Sequence, residues 1–209
     1  MSNENVVEIL SKLISCKSLT PEDDGCQKYI ADYLEKLGFE IEIKKNDDVI
    51  NLIARYGKDS PVFAYAGHTD VVPTGDLDKW KSNPFELTEI NSKLYGRGTS
   101  DMKGSVACIL ISIKDFINSN KDFKGSIIVI LTSDEEGPAQ NGIKKLVNDG
   151  DLTKHHIDMC LIGEPSSKKI LGDTIKNGRR GSLSGKIIIQ GIQGHVAYPH
   201  NAMNPIHAF

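Results

Sequence analysis

Apolar and polar residues along this chain of 209 residues change period in a way that predicts helices and strands in turn. Residues 6–14 carry apolar side chains at helical spacing, and residues 105–117 predict a longer, largely apolar helix. Pro21 is expected to open a second helix with Thr20 as its N-cap, because proline is tolerated in a first helical turn. A short helix is also predicted over residues 142–147.

Five further segments predict strands. Residues 39–43 alternate between apolar and polar side chains, as a half-buried strand does, and residues 49–54 predict a second strand. Residues 61–66, 126–131 and 157–162 are apolar at nearly every position, as in strands buried on both faces. Because strands and helices follow one another, the pattern predicts an α/β fold with a mostly parallel sheet and helices on both faces.

The pattern changes close to residue 178. Residues 177–181 are rich in glycine and arginine, as linkers often are, and residues 183–190 alternate as an antiparallel strand would. We therefore predict one domain over residues 1–178 and the beginning of a second over residues 179–209. About thirty residues are too few to bury a core of their own.

Charge and hydrophobicity exclude several classes of function. The net charge of −3 and the lack of a basic cluster on a recognisable motif argue against a nucleic-acid partner. No apolar run approaches the ~20 residues of a membrane span, and the polar, acidic N-terminus lacks the features of a secretory signal. We expect a cytoplasmic protein that binds neither nucleic acid nor membrane.

The four cysteines are far apart in the sequence, with no C-x-x-C pair. Cys108 and Cys160 lie inside apolar runs, so we expect them to be buried. We interpret all four as reduced thiols of a cytosolic protein, and a disulfide between Cys16 and Cys26 is the alternative.

Candidate chemistry lies in four short segments that follow predicted strands or precede a helix. They are Gly67-His68-Thr69-Asp70, Thr99-Ser100-Asp101-Met102-Lys103-Gly104, Ser133-Asp134-Glu135-Glu136-Gly137 and Gly163-Glu164-Pro165. Because ligands of open α/β sheets bind beyond the carboxyl ends of the strands, the five residues His68, Asp101, Glu135, Glu136 and Glu164 are expected to converge on one sheet edge.

Imidazole and carboxylate ligands suit Zn²⁺, with Mn²⁺ or Co²⁺ as substitutes. Asp70 is two positions from His68, so it could accept a hydrogen bond from the ring nitrogen that does not bind metal. Glu135 and Glu136 could divide the roles of metal ligand and general base. Each segment also has a simpler interpretation: residues 67–70 resemble a polar loop, and residues 133–137 resemble a helix N-terminus.

One further glycine-rich segment was considered as a nucleotide-binding motif. Gly96-Arg97-Gly98 suggests a phosphate-binding loop, but its spacing fits neither the P-loop nor the dinucleotide fingerprint. Nucleotide binding is therefore not predicted.

Taken in order, residues 67–75, 96–104, 133–137 and 163–166 resemble the motifs of the zinc aminoacylase/carboxypeptidase family of co-catalytic metallopeptidases. The resemblance implies a zinc-peptidase-like catalytic domain with two zinc ions per subunit. The implied zinc ligands are His68 and Glu164 for one ion, Asp101 as the bridge between both, and Glu136 for the second. The resemblance also implies a cis peptide after Asp101.

The same resemblance implies roles for four other residues. Glu135 would be the general base, and Asp70 would orient His68. Arg179 would bind a carboxylate of the substrate, for which a guanidinium is well matched. His195 would reach the active site of the partner subunit in a homodimer, so residues 179–209 would begin the dimerisation domain.

Residues 179–186 and 194–200 indicate the substrate within the family. They resemble members that hydrolyse N-succinyl-LL-2,6-diaminopimelate to succinate and LL-2,6-diaminopimelate, a step of lysine and diaminopimelate biosynthesis. Acetylornithine deacetylase-like activity, dipeptidase activity and an inactive truncated fragment are the alternatives.

Family members continue past the length of this chain, and a C-terminal histidine completes their second zinc site. The remaining histidines here are His155, His156, His200 and His207, and none follows an apolar strand in the right context. His155 and His156 are expected to be exposed in a polar loop. We therefore expect a complete set of protein ligands for the first zinc and a missing histidine for the second.

Overall fold

The computed structural model describes residues 5–178, 181 and 183–209. The described chain forms two compact units, of which the first ends at Pro165 and the second runs from Ser166 to Phe209. The boundary between two functional domains at residues 178 and 179 stays a prediction.

A five-stranded sheet forms the centre of the first unit. Its strands are β1 (Glu40–Asn46), β2 (Val49–Tyr56), β3 (Val62–His68), β6 (Ser126–Thr132) and β7 (Met159–Ile162), and a separate hairpin consists of β4 (Thr88–Ile90) and β5 (Lys93–Tyr95). The order across the sheet is β1-β2-β6-β3-β7. β1 and β6 both lie antiparallel to β2, whereas β3 lies parallel between β6 and β7. The α/β class is confirmed, but the sheet is mixed rather than mostly parallel, since two of its four strand pairings are antiparallel.

Helices cover both faces of this sheet. They are α1 (Val6–Ser15), α2 (Cys26–Glu35), α3 (Gly104–Ser119) and α4 (Ile143–Asn148). The first three contribute to the larger apolar core, which also contains Ile127, Val129 and Leu131 of β6. The alternate residues Ile128 and Ile130 belong to the smaller core, with Leu146 of α4. Successive side chains of a strand point to opposite faces, so the apolar run of β6 is buried on both sides, as predicted.

The sequence predicts the start of α1 correctly but not the start of α2. α1 begins where its pattern indicates, with Asn5 and Glu8 forming a capping box. The prediction that Pro21 opens α2 is wrong, because α2 begins at Cys26. The preceding residues instead bind the segment that follows β3: the Thr20 amide donates to the Val71 carbonyl at 3.1 Å.

Several predictions of burial are also wrong. Among the described residues β7 pairs with β3 alone, at the edge of the sheet, and its side chains are more than half exposed at Met159, Leu161 and Ile162. Cys108 is exposed on the outer side of α3, and Cys160 is exposed on β7. His155 is buried rather than exposed, and its carbonyl accepts a hydrogen bond from Arg55.

The second unit contains little regular structure among its described residues. A short helix, α5 (Pro205–Ala208), lies near its end, and Ile192 forms an isolated antiparallel bridge with Met203. Residues 183–190, predicted as a strand, form none in the described chain. No helix in the part of the chain that the structure describes has the length and apolar character to cross a membrane.

Candidate metal centre and active site

His68 is the last residue of β3, and its side chain is almost fully buried. Its Nδ1 lies 2.9 Å from the backbone carbonyl oxygen of Asp70. Its Nε2 points to two carboxylates, at 3.1 Å from Asp101 Oδ1 and 3.4 Å from Glu164 Oε1. A carbonyl that accepts from Nδ1–H leaves Nε2 as the atom that can bind a metal.

Asp101 and Glu164 reach His68 from two different loops. Asp101 precedes α3, and the bond between Asp101 and Met102 is cis, as the resemblance implied. The buried sulfur of Met102 lies 3.3 Å from the backbone nitrogen of His68, which donates to it. Glu164 follows β7, and the amide of Gly163 donates to the Ala66 carbonyl at 3.0 Å. The parallel strands β3 and β7 therefore bring His68 and Glu164 to the same end of the sheet, and the loop before α3 brings Asp101 to them.

Gly163 is required by the close approach of its neighbours. A Cβ atom at this position would overlap the Tyr65 hydroxyl and lie 2.6 Å from Ser105 Oγ. Those two hydroxyls are 2.9 Å apart and hydrogen-bonded. Any larger residue would have to displace them, together with the backbone that carries Glu164.

Asp70 connects His68 to the segment that carries Glu135 and Glu136. Its carboxylate accepts the backbone N–H of Glu135 at 3.1 Å and that of Glu136 at 3.0 Å. The same carboxylate lies 3.5 Å from His68 Nδ1, whereas the Asp70 carbonyl oxygen lies 2.9 Å from that nitrogen. Asp70 thus fixes the backbone of the two glutamates, while its role in orienting His68 stays a prediction.

Asp134 is a positioning residue that the sequence reasoning missed. It is buried, and its carboxylate accepts the backbone N–H groups of Ala139, Gln140 and Asn141 at 2.9–3.0 Å. These bonds fold the chain after Glu136 into a closed loop. In the sequence, Asp134 is one acid directly before the two glutamates. Nothing in that pattern distinguishes its role from theirs.

Replacing Asp134 with alanine is expected to lower the free energy of unfolding by about 3 kcal/mol, because three N–H groups lose a charged acceptor. Urea denaturation measures the change. Asp115, an exposed residue of α3, provides the control: Asp115→Ala should change stability by less than about 0.5 kcal/mol. Equal effects of the two substitutions would contradict this role of Asp134.

Two groups of side chains among the described residues could each hold a metal ion, and both contain His68. One group consists of His68, Asp101 and Glu164, and the other of His68, Glu135 and Glu136. Within each group the ligand atoms lie within 4.8 Å of one another. One imidazole with several carboxylates is a donor set that fits Zn²⁺, Mn²⁺ or Co²⁺.

The electrostatics of the cluster indicate a deficit of positive charge. Burial, and then the charge of Glu164, raise the pKa of Asp101. Burial, and then the charge of Asp101, raise the pKa of Glu136. Burial alone would lower the pKa of His68, but hydrogen bonds to Asp70 and Glu164 raise it to about 11. Crowded carboxylates around one cationic group are what a bound metal ion would stabilise.

The pKa of Asp70 shifts in the opposite direction. Burial opposes its ionisation, but the hydrogen bonds from His68 and from the Glu136 amide lower its pKa. Asp70 therefore stays a carboxylate that can keep accepting the amides of the two glutamates.

The roles of two other predicted site residues stay predictions. Arg179 lies outside the described residues. His195 belongs to the second unit, is exposed, and accepts the Ala197 amide through Nδ1 at 3.1 Å. Neither donor group found among the described residues includes His155, His156, His200 or His207.

Comparisons with known proteins identify relatives of this chain. A succinyl-diaminopimelate desuccinylase from Hydrogenovibrio crunogenus is 54% identical over 202 residues, which cover 96% of this chain and 53% of the relative. Succinyl-diaminopimelate desuccinylase 2 from Alteromonas mediterranea is 50% identical over 208 residues, which cover 100% of this chain and 55% of the relative. The chain therefore spans about half the length of the curated relatives it matches.

A solved structure and a family model also match this chain. A metallo-carboxypeptidase of the M20 family from Sulfolobus solfataricus has a similar structure, with a TM-score of 0.67 at 21% identity over 79% of this chain and 38% of that one. Residues 64–205 match the family described as peptidase family M20/M25/M40, and all four motifs fall within that match. Since the match covers more than half of the 209 residues, this chain belongs to peptidase family M20/M25/M40.

Proposed function

We propose that the protein is a metal-dependent amide hydrolase that converts N-succinyl-LL-2,6-diaminopimelate to succinate and LL-2,6-diaminopimelate. The observation that carries this proposal is the position of His68 between two carboxylate pairs at one sheet edge. The substrate rests on the relatives that share 50–54% identity and carry the name desuccinylase. The reaction would belong to lysine and diaminopimelate biosynthesis in the cytoplasm.

Two zinc ions are proposed as the cofactor. His68, Glu164 and Asp101 would hold the first ion, and Asp101 and Glu136 would contribute to the second. When bound, the metal would supply a Lewis acid that polarises the amide carbonyl and makes water more acidic. Nε2 of His68 and the nearby carboxylate oxygens are the atoms that would meet the ions.

Glu135 is proposed to move the proton in the reaction. Its carboxylate would accept a proton from the attacking water and then donate it to the amide nitrogen as the C–N bond breaks. The hydrogen bond from the Glu135 amide to Asp70 fixes the backbone beneath this carboxylate. The fixed backbone would keep the base in place during both proton transfers.

Two further residues are proposed to complete the site in a homodimer. Arg179 would bind a substrate carboxylate through its guanidinium fork, and His195 would stabilise the developing oxyanion in the partner's active site. Exposed apolar side chains in the second unit support an interface there: Val196, Ile206 and Phe209 are each more than four-fifths exposed.

The test is an assay of the complete gene product with Zn²⁺ on three substrates: N-succinyl-LL-2,6-diaminopimelate, N-acetylornithine and a dipeptide. We expect kcat/KM to be at least about 100-fold higher for the succinyl substrate, and the protein to sediment as a dimer. Higher activity on either of the other substrates would overturn the substrate assignment. A monomer with full activity would overturn the role of His195.

A further inference from the structure

The loop that carries Asp101 contacts His68 at two separate atoms. Asp101 Oδ1 lies 3.1 Å from His68 Nε2, the ring nitrogen that can bind a metal. The next residue, Met102, is fully buried, and its sulfur accepts the backbone N–H of His68 with an N–S distance of 3.3 Å. Two consecutive residues therefore contact both the ring and the backbone of His68.

The sheet explains why a side chain accepts this N–H. His68 is the last residue of β3, and the paired part of β3 and β7 ends at Ala66 and Ile162. The pairing thus stops two residues before His68, and the Met102 sulfur takes the position that a strand carbonyl would occupy. Because a buried N–H without an acceptor is costly, this sulfur matters to the strand end.

Neighbouring residues fix the position of the sulfur. Gly67 leaves the space for it, since a Cβ atom there would overlap Met102 Cε and lie 2.8 Å from Sδ. The residue after Met102 is anchored to the end of α1: the buried Nζ of Lys103 donates to the carbonyl oxygens of Leu13 and Cys16, each at 2.8 Å. The thioether is therefore closely packed and has an anchored neighbour.

We propose that Met102 is a positioning residue of the metal centre, whose sulfur fixes the backbone of His68 so that Nε2 stays directed at Asp101 and Glu164. The inference rests on the proposed function, because it concerns the same metal centre. A thioether is a weak acceptor, but without it the buried N–H of His68 loses its partner. Groups that orient a metal ligand contribute about 10–100-fold to metal affinity.

The test replaces Met102 with leucine in the complete gene product, because leucine has a similar volume and no acceptor atom. Competition with a chromogenic chelator should show a zinc affinity about tenfold weaker than that of the parent. The visible absorption bands of the Co²⁺-loaded protein should shift, since His68 would meet the ion in a changed orientation. Met159→Leu, at a half-exposed position of β7, is the matched control and should change neither quantity.

A second comparison applies even where Met102→Leu does not fold. Selenomethionine keeps an acceptor atom, whereas norleucine replaces the sulfur with a methylene group and keeps the shape of the side chain. Both analogues replace every methionine alike, so the comparison between them isolates the acceptor atom. We expect the norleucine protein to bind Zn²⁺ about tenfold more weakly than the selenomethionine protein.

The outcomes separate this inference from the proposed function. Equal zinc affinities of the two analogue proteins would overturn the role of Met102 and leave the hydrolase proposal intact. A folded Met102→Leu protein with the parental zinc affinity and the parental Co²⁺ spectrum would do the same. A parent protein that binds no zinc would overturn the metal centre itself, and this inference with it.

Discussion

Replacing Glu135 with glutamine is expected to lower kcat on the succinyl substrate by about 10³-fold while metal binding is retained. Glutamine has nearly the same shape, and its backbone N–H can still donate to Asp70, as the Glu135 amide does at 3.1 Å. Its amide, however, cannot accept the proton of the attacking water. Steady-state kinetics of the complete gene product give kcat, and elemental analysis gives the metal content.

Glu136→Gln is the matched comparison, because it changes the neighbouring residue in the same way. Glu136 is proposed as a ligand of the second ion, so this variant should lose metal as well as activity. An exposed glutamate on β4 supplies a neutral control, and Glu89→Gln should leave both quantities unchanged. A Glu135→Gln enzyme that keeps more than a tenth of the parental kcat would show that Glu135 is not the base.

Replacing His68 with alanine is expected to weaken the binding of the first Zn²⁺ ion by at least about 100-fold. Zinc binding to protein sites is worth about 10–16 kcal/mol over four ligands, or roughly 3 kcal/mol per ligand. His68 also belongs to both donor groups, so no other single substitution removes an atom from both. Competition with a chromogenic chelator measures the affinity.

The control for this variant is a histidine on the same unit that no donor group contains. His156 is exposed and has a left-handed backbone, which asparagine tolerates, so His156→Asn should leave the zinc affinity unchanged. Circular dichroism must show that His68→Ala folds. A folded His68→Ala protein with parental zinc affinity would mean that the ions bind elsewhere.

The sequence predicts the central strands well because their apolar runs have one structural solution. Every residue of β6 is apolar or small enough to be buried, and the strand has cores on both faces. β7 has a similar apolar run, yet its side chains are largely exposed. The difference arises from position in the sheet, since β7 is at the edge, and a local pattern cannot show which strands have a neighbour.

The start of α2 shows a second limit. Pro21 is a plausible first residue of a helix by local rules. In the fold its carbonyl accepts a hydrogen bond from Ser133 Oγ at 2.7 Å, across more than a hundred residues of sequence. Such long-range bonds keep the segment before Cys26 out of the helix.

The sequence predicts the site residues that follow strands. It does not predict the residues that position the site through hydrogen bonds to the backbone. His68 and Glu164 meet because β3 and β7 run parallel, and Asp101 joins them from the loop before α3. Two other contacts have no local sequence signature. Asp134 accepts hydrogen bonds from three loop amides, and the buried Lys103 donates to the carbonyls of Leu13 and Cys16. Both depend on how distant segments come together.

His68, Asp101 and Glu164 are proposed to hold a metal ion at the edge of the sheet. Crystals of the protein grown with Zn²⁺ and measured on both sides of the zinc absorption edge test it most directly. We predict an anomalous difference peak within about 2.0–2.2 Å of His68 Nε2 and of one carboxylate oxygen from each of the two acids. A zinc-loaded crystal whose anomalous peaks all lie away from His68 would contradict the claim.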